Sequence, residues 1–219
     1  MLSIGTKSLL FGCHQFLWHP FTVLLAYRKL FRKWPDFYGA LCILLHDVGY
    51  WGCADIDGDA GKLHPLRGAQ MVGKLVYRCE RWKGSPVVHS LLVSNHQIER
   101  CLLHSSSYAR WHGRKPSDIC WADKYCVFFE PDWFYLFRTG LSGECEEFVA
   151  NAVKSGHVPP GATNREWQAW YKGYLLTRPE ISELLRKNQA CVSTPHNEKN
   201  TRGCPHHSVP GTGCGSPKN

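Results

Sequence analysis

A histidine and an aspartate stand side by side in residues 44–49 (LLHDVG), at the end of an apolar stretch. Neighbouring side chains on a helix lie about 100° apart, so His46 and Asp47 could both point at one metal ion. The Asp47 carboxylate has two oxygens with which to bridge two cations. The pair alone does not establish a metal site, because a His46 that caps a helix and a solvated Asp47 give the same pattern.

Two further candidate ligands accompany this pair at long sequence distances. His19 lies 27 residues before His46 in HPFTVLLA, and Asp123 lies 76 residues after Asp47 in ICWADK. His-x-x-x-Val-x-x-Ala, then Leu-x-His-Asp-x-Gly, then Ala-Asp-Lys resembles the HD-domain superfamily of metal-dependent phosphohydrolases, over roughly residues 10–130. The resemblance implies an all-α helical bundle. It also implies that one metal ion is coordinated by His19, His46, Asp47 and Asp123.

Two-metal members of this superfamily carry extra histidine ligands, and this chain has histidines in both corresponding regions. His64, at a helix entrance in GKLHPLRGA, fits the first region. The second region contains His89, His96, His104 and His112. We rank His104 first, because it ends an apolar run where the superfamily places its metal-binding histidine, and His96 second. Six ligand side chains are too many for one tetrahedral ion, so the resemblance predicts two ions with Asp47 bridging them. The alternative is a single-metal site, in which His64 is only a helix-entry residue that contacts the substrate phosphate.

Residues 50–58 (YWGCADIDG) resemble an otherwise uncharacterised bacterial and phage subfamily of HD proteins, and this likeness indicates no substrate. That subfamily has an arginine two positions after its metal-binding histidine, where this chain has Ser106. A phosphate contact would therefore have to come from Arg110. Lys124, next to the last ligand, is a second candidate for binding substrate.

The acidic residues near position 57 do not form a calcium loop. Position six of such a loop would be Ala60 rather than glycine, and position twelve would be Leu66 rather than glutamate. We interpret the segment as a polar loop over the mouth of the active site. In that loop Asp57 and Lys62 either position substrate or attacking water, or are simply solvated charges.

Histidine and carboxylate ligands suit divalent Fe, Mn, Zn, Ni or Co, and a pair of such ions stabilises the attacking and leaving oxygens of phosphate hydrolysis. The leading hypothesis is a phosphohydrolase that cleaves a phosphomonoester or phosphoanhydride of a nucleotide or related small molecule with metal-activated water. The alternative is an HD-fold module that binds nucleic acid or a signalling nucleotide without turnover. A peripheral membrane or phage-related role rests only on the basic and aromatic N-terminal segment. No GxSxG, GxxxxGK[ST] or GxGxxG motif is present.

The sequence around these residues has the apolar periodicity of helices, and the alternating pattern of strands is nearly absent. Apolar periodicity, with proline, serine and asparagine at helix starts, predicts one all-α domain over residues 1–190. The predicted helices cover residues 21–30, 38–45, 68–82, 86–103, 117–129, 145–155, 164–177 and 180–187.

Composition sets the remaining boundaries. Residues 191–219 contain no Leu, Ile, Phe, Trp or Tyr, which predicts a disordered tail, with Cys204, His206, His207 and Cys214 as a weak metal-binding alternative.

Eleven cysteines, an odd number, and no recognisable export signal favour reduced thiols and a cytoplasmic protein. No apolar run is long enough for a transmembrane helix. The net charge of +8 favours an anionic partner such as a phosphate or nucleic acid, and oligomeric state is not indicated.

Overall fold

The chain is all-α across the residues that the structure describes. The computed structural model describes the backbone of residues 2–193 and the side chains of residues 2–189, and this part contains helices and no strand. The all-α prediction is thereby confirmed. The predicted tail at 191–219, with its Cys204, His206, His207 and Cys214, falls almost entirely outside the described residues.

The α-helices are α1 (Ile4–Phe11), α2 (Trp18–Phe31), α3 (Phe37–Leu45), α4 (Asp59–Lys62), α5 (His64–Trp82), α6 (Val87–Leu102), α7 (Ser106–Trp111), α8 (Asp118–Tyr125), α9 (Asp132–Ser142), α10 (Glu144–Lys154), α11 (Asn164–Thr177) and α12 (Pro179–Ser193). Short 3₁₀ helices occupy Val48–Tyr50 and Cys126–Phe129.

Helix periodicity explains the core. Along α2, the buried side chains of Val23, Ala26, Tyr27 and Leu30 follow the three-and-four spacing of one helix face. This face packs on α8, and α5 packs along α6. A common apolar core includes residues from α2 through α12. The helices that carry the candidate ligands are therefore fixed by the same core.

Local sequence sets several helix ends. The Asp36 carboxylate accepts from the Gly39 amide at 2.5 Å and starts α3. Thr163 and Glu166 form a reciprocal capping box at the start of α11. Gly143, with φ of 82°, ends α9 in the left-handed region that glycine adopts without strain.

The predicted helix positions agree with the structure apart from their ends and a few short elements. The helix predicted at 117–129 is α8 followed by the 3₁₀ segment Cys126–Phe129. Sequence periodicity missed α1, α4, α7 and α9. Among the described residues, no helix is both long and apolar enough to cross a membrane.

Candidate metal centre

The predicted ligands stand near helix ends that converge in the fold. His19 lies in the first turn of α2, and His46 and Asp47 directly follow α3. His64 opens α5, His104 lies just beyond the end of α6, and Asp123 lies on α8. Five of these side chains are almost fully buried, and Asp123 is partly buried.

His19, His46, Asp47 and Asp123 form a first group of donor atoms. The Nε2 atom of His19 lies 3.1 Å from Asp47 Oδ2 and 3.1 Å from Asp123 Oδ1. The Nε2 atom of His46 lies 3.0 Å from the same Asp47 oxygen and 3.3 Å from His19 Nε2. These residues can hold a metal ion between them.

Asp47, His64 and His104 form a second group. The Nε2 atoms of His64 and His104 lie 3.0 Å apart, and each lies 3.7 Å from Asp47 Oδ1. Asp47 thus presents Oδ2 to the first group and Oδ1 to the second. This group also has the composition and spacing of a metal site.

Backbone carbonyls orient three of the imidazoles in the same way. The Nδ1 atoms of His46, His64 and His104 bond the carbonyl oxygens three residues earlier, at 2.7, 2.6 and 2.6 Å. Each carbonyl lies in the last turn of a helix, where intrahelical donors are missing. A carbonyl oxygen can only accept, so each Nδ1 must carry the proton. Each ring therefore turns its Nε2 atom towards the centre, where the neutral form would offer a lone pair to a cation.

The result is a buried cluster of imidazole nitrogens around one carboxylate. Asp47 Oδ2 is buried and receives no hydrogen bond, although two imidazole nitrogens lie within 3.1 Å of it. Burial and the neighbouring His104 hold the pKa of His64 at about 3, which keeps this ring neutral. Burial opposes the charge of Asp47, but the surrounding histidines hold its pKa well below the usual range. An orphaned carboxylate oxygen among inward lone pairs fits a cation.

Two glycines allow the helices to approach this closely. A Cβ atom at Gly49, two residues after Asp47, would lie 1.9 Å from the His64 carbonyl oxygen. A Cβ atom at Gly68 would lie 2.6 Å from the carbonyl oxygen of His46. The glycine of the LLHDVG segment is therefore needed where α5 crosses the turn that carries the ligands.

A cavity of about 390 Å³ opens onto both groups. Its wall includes Asp57 and Lys124, two of the residues predicted to act on substrate. Asp57 is exposed and accepts from Asn151 Nδ2 at 3.2 Å. For Lys124, burial opposes the ammonium charge, but Tyr171 and nearby acidic groups raise its pKa above the usual value.

The other predicted residues lie elsewhere. His96 is exposed and lines a separate depression beside Arg100, so the structure places His104, and not His96, with the other ligands. Lys62 does not line the cavity, and its ammonium lies 3.8 Å from Asp59. Arg110 is exposed on α7 and also lies outside the cavity lining. The Arg110 side chain is therefore not placed to make the predicted phosphate contact in this cavity.

His89 and His112 are the remaining histidines of the second region. His89 is exposed and lies 3.4 Å from Glu80. The ring of His112 packs on Tyr108 with 4.4 Å between centroids. Neither residue belongs to the ligand groups.

Sequence reasoning missed two features of the cavity wall. One is the aromatic face of α11, formed by Trp167, Trp170, Tyr171 and Tyr174 at helical spacing. That spacing is a signal the sequence does contain. The other is Cys13 with His14, whose partner Glu144 is about 130 residues away and gives no local pattern.

No protein-family model, curated protein or solved structure matches this chain.

Proposed function

We propose that this chain is a metal-dependent phosphohydrolase of the HD-domain type. Its substrate would be a phosphomonoester or phosphoanhydride of a nucleotide or a related small molecule. The proposal includes two divalent transition-metal ions, from the set Fe, Mn, Zn, Ni and Co, because the nitrogen and carboxylate donors divide into two groups that share Asp47. His19, His46 and Asp123 would complete one site, and His64 and His104 the other.

The observation that carries the proposal is the inward orientation of the histidine lone pairs around a carboxylate oxygen without a donor. Leaving a buried polar group unsatisfied costs about 1 to 3 kcal/mol. A cation among the three rings would be bound by nitrogen atoms that the chain already holds in this orientation. When bound, such ions supply Lewis-acid catalysis and activate water for attack on phosphorus.

The cavity supports a phosphorylated substrate that also carries an aromatic ring. Lys124 contributes a positive charge on the wall, next in sequence to the ligand Asp123. Trp167 and Tyr171 on α11 are parallel to within 7°, and Trp170 and Tyr174 to within 14°. Flat aromatic surfaces of this kind bind bases by stacking. Lys124 would then hold phosphate oxygens, while the base stacks at Tyr174, the exposed member of the α11 face.

The test uses the purified full-length chain, stripped with a chelator and reloaded separately with Mn²⁺, Fe²⁺, Co²⁺, Ni²⁺ or Zn²⁺. Phosphate release is then measured across nucleoside mono-, di- and triphosphates. We expect release from at least one nucleotide with at least one metal, and none from the stripped protein. Release that persists after metal removal would contradict the proposal.

The matched variant for this experiment is Asp123→Asn, which keeps the side-chain shape and removes one carboxylate charge. It should lose phosphate release with every metal, while circular dichroism reports the same helix content. Nucleotide binding without release in the loaded wild type would instead support a binding module.

A further inference from the structure

A third group of donor atoms lies outside the two groups that share Asp47. Cys13 and His14 follow α1, and Glu144 is the first residue of α10. Cys13 Sγ lies 3.2 Å from His14 Nδ1 and 2.9 Å from Glu144 Oε1. His14 Nδ1 lies 3.2 Å from the same carboxylate oxygen. None of the three belongs to the other ligand groups.

Glu144 is a fully buried carboxylate without a permanent cationic partner. Its exposed fraction is 0%. The hydroxyls of Ser8 and Ser142 donate to it, as does the Cys13 amide at 2.8 Å. Among the described residues, no lysine or arginine forms an ion pair with it. Its negative charge is therefore held by hydrogen-bond donors, and the nearby His14 is a counter-ion only when its ring is protonated.

The surrounding chain holds this group in place by other contacts. Arg138 donates to the Gly12 carbonyl oxygen, and its guanidinium is held by the buried carboxylate of Glu130. A Cβ atom at Gly12 would lie 1.9 Å from the Glu144 carboxylate, so the turn approaches α10 as closely as the backbone allows. Ligands that are already oriented by neighbouring hydrogen bonds are typical of metal sites.

We propose that Cys13, His14 and Glu144 bind an additional transition-metal ion of the zinc type. Thiolate, imidazole and carboxylate are the donors that zinc prefers, and a thiolate disfavours Mg²⁺ or Ca²⁺. Donors on one tetrahedral zinc ion lie roughly 3.3 to 3.6 Å apart, so the present spacings would need to widen by about 0.1 to 0.7 Å, most of all between Cys13 Sγ and Glu144 Oε1. Loading forms the metal–sulfur bond and releases the thiol proton to the buffer.

The site is three-coordinate from the protein and opens towards the cavity. Cys13 and His14 both line the cavity, and the His14 ring lies 5.6 Å from that of His19 between centroids. Three protein ligands and one open position are the pattern of zinc sites that exchange water or substrate. The cavity ligand would be an anionic group, such as a phosphate oxygen of the molecule bound beside the Asp47 groups.

Cobalt substitution tests the thiolate ligand directly. The full-length protein, kept reduced with a phosphine and stripped of metal, is titrated with Co²⁺ while sulfur-to-cobalt charge-transfer absorption is recorded in the near ultraviolet. We expect the band in the wild type, its loss in Cys13→Ser and its weakening in Glu144→Gln. The absence of the band from the wild type, or its persistence in Cys13→Ser, would overturn the proposal.

Controls separate this site from other thiols. Cys126 Sγ lies 3.6 Å from His19 Nδ1, so Cys126→Ser tests whether the band arises at the first group instead. Cys204→Ser/Cys214→Ser tests the C-terminal cysteines. Both variants should keep the band, and its loss in either one would assign the thiolate elsewhere and contradict the proposal.

Two further measurements make the outcome independent of the proposed hydrolase. Asp47→Ala should keep the cobalt–thiolate band even though it removes the shared ligand of the other groups, so this site stands even if the phosphohydrolase proposal fails. In the unmutated protein, Zn²⁺ should protect the Cys13 peptide from alkylation, read by mass spectrometry. Equal alkylation with and without Zn²⁺ would argue against the site without relying on any variant.

Discussion

Two buried charged clusters of this protein are built in opposite ways. Around Arg138 and Glu130, guanidinium donors meet carboxylate acceptors at 2.6 to 2.8 Å, and a remaining donor reaches the Gly12 carbonyl. Around Asp47, imidazole nitrogens and carboxylate oxygens face one another, and Asp47 Oδ2 receives no hydrogen bond from the residues that the structure describes. Most side chains of both clusters are buried, although the cavity opens onto the Asp47 groups.

We interpret the Arg138–Glu130 cluster as a structural ion pair and the Asp47 cluster as a binding site for a cation. A buried ion pair with matched hydrogen bonds satisfies its own groups, and removing one partner destabilises the fold. A buried set of imidazole nitrogens and carboxylate oxygens can instead be satisfied by a bound cation. Matched donors and acceptors therefore indicate a contact that stabilises the fold, whereas unmatched ones indicate a site that could bind a cation.

The largest effect is expected from Asp47→Ala, which removes the residue common to both groups. The variant should lose the metal held around position 47, with affinity lowered by more than about 100-fold, and lose hydrolysis, because the remaining histidines have no shared anion. Helix content should not change. Metal analysis, an activity assay and circular dichroism measure these outcomes.

The matched control is Asp57→Asn, which changes an exposed carboxylate at the mouth of the same cavity and should keep wild-type metal content. If Asp47→Ala retained the metal held by the two groups around Asp47, the contrast between the two clusters would fail.

His104→Ala tests whether the two groups that share Asp47 hold one ion or two. We expect the loss of one bound ion and retention of the ion in the group of His19, because His104 contacts only the Oδ1 side of Asp47. Metal stoichiometry of the purified protein measures this. The control is His96→Ala, at an exposed histidine outside the cluster, which should leave stoichiometry unchanged. Unchanged stoichiometry in His104→Ala would indicate a mononuclear centre.

Glu130→Gln tests whether the buried Arg138–Glu130 pair stabilises the fold. Neutralising one partner leaves the Arg138 guanidinium buried without its counter-ion, so the free energy of unfolding should fall by about 3 kcal/mol. Metal content should be unaffected. Urea unfolding measures the change.

The matched control for Glu130→Gln is Glu183→Gln, which breaks an exposed pair with Lys187 and should leave the free energy of unfolding nearly unchanged, because solvent screens this pair. Equal effects of the two substitutions would show that burial does not decide the strength of these pairs.

The sequence predicted most of the helices and the six residues of the two Asp47 groups. Helices show in apolar periodicity, which is local, and the ligands show in motifs that resemble a known family. His64 and His104 required the family pattern, because nothing local distinguishes His104 from His96 before the end of α6 is known. The structure separates them by placing the former inside the fold and the latter on its surface.

The parts that sequence reasoning missed depend on long-range packing. Lys62 is close to His64 in sequence, but its side chain lies beside Asp59 rather than in the cavity. Glu144 meets Cys13 only because α1 packs against α9, which leads into α10. Contacts of this kind leave no periodic or spacing signal in one sequence.

The hydrogen bonds from His46, His64 and His104 to carbonyls in the preceding helical turns make helix length part of the site. Each additional residue rotates a helix end by about 100° about its axis. A one-residue insertion or deletion within α3 or α6 would therefore swing an imidazole away from Asp47 while leaving every ligand present in the sequence. Among variants of this chain, gaps should accumulate in loops such as the one after α10, whereas α3 and α6 should keep their lengths even where their surfaces change.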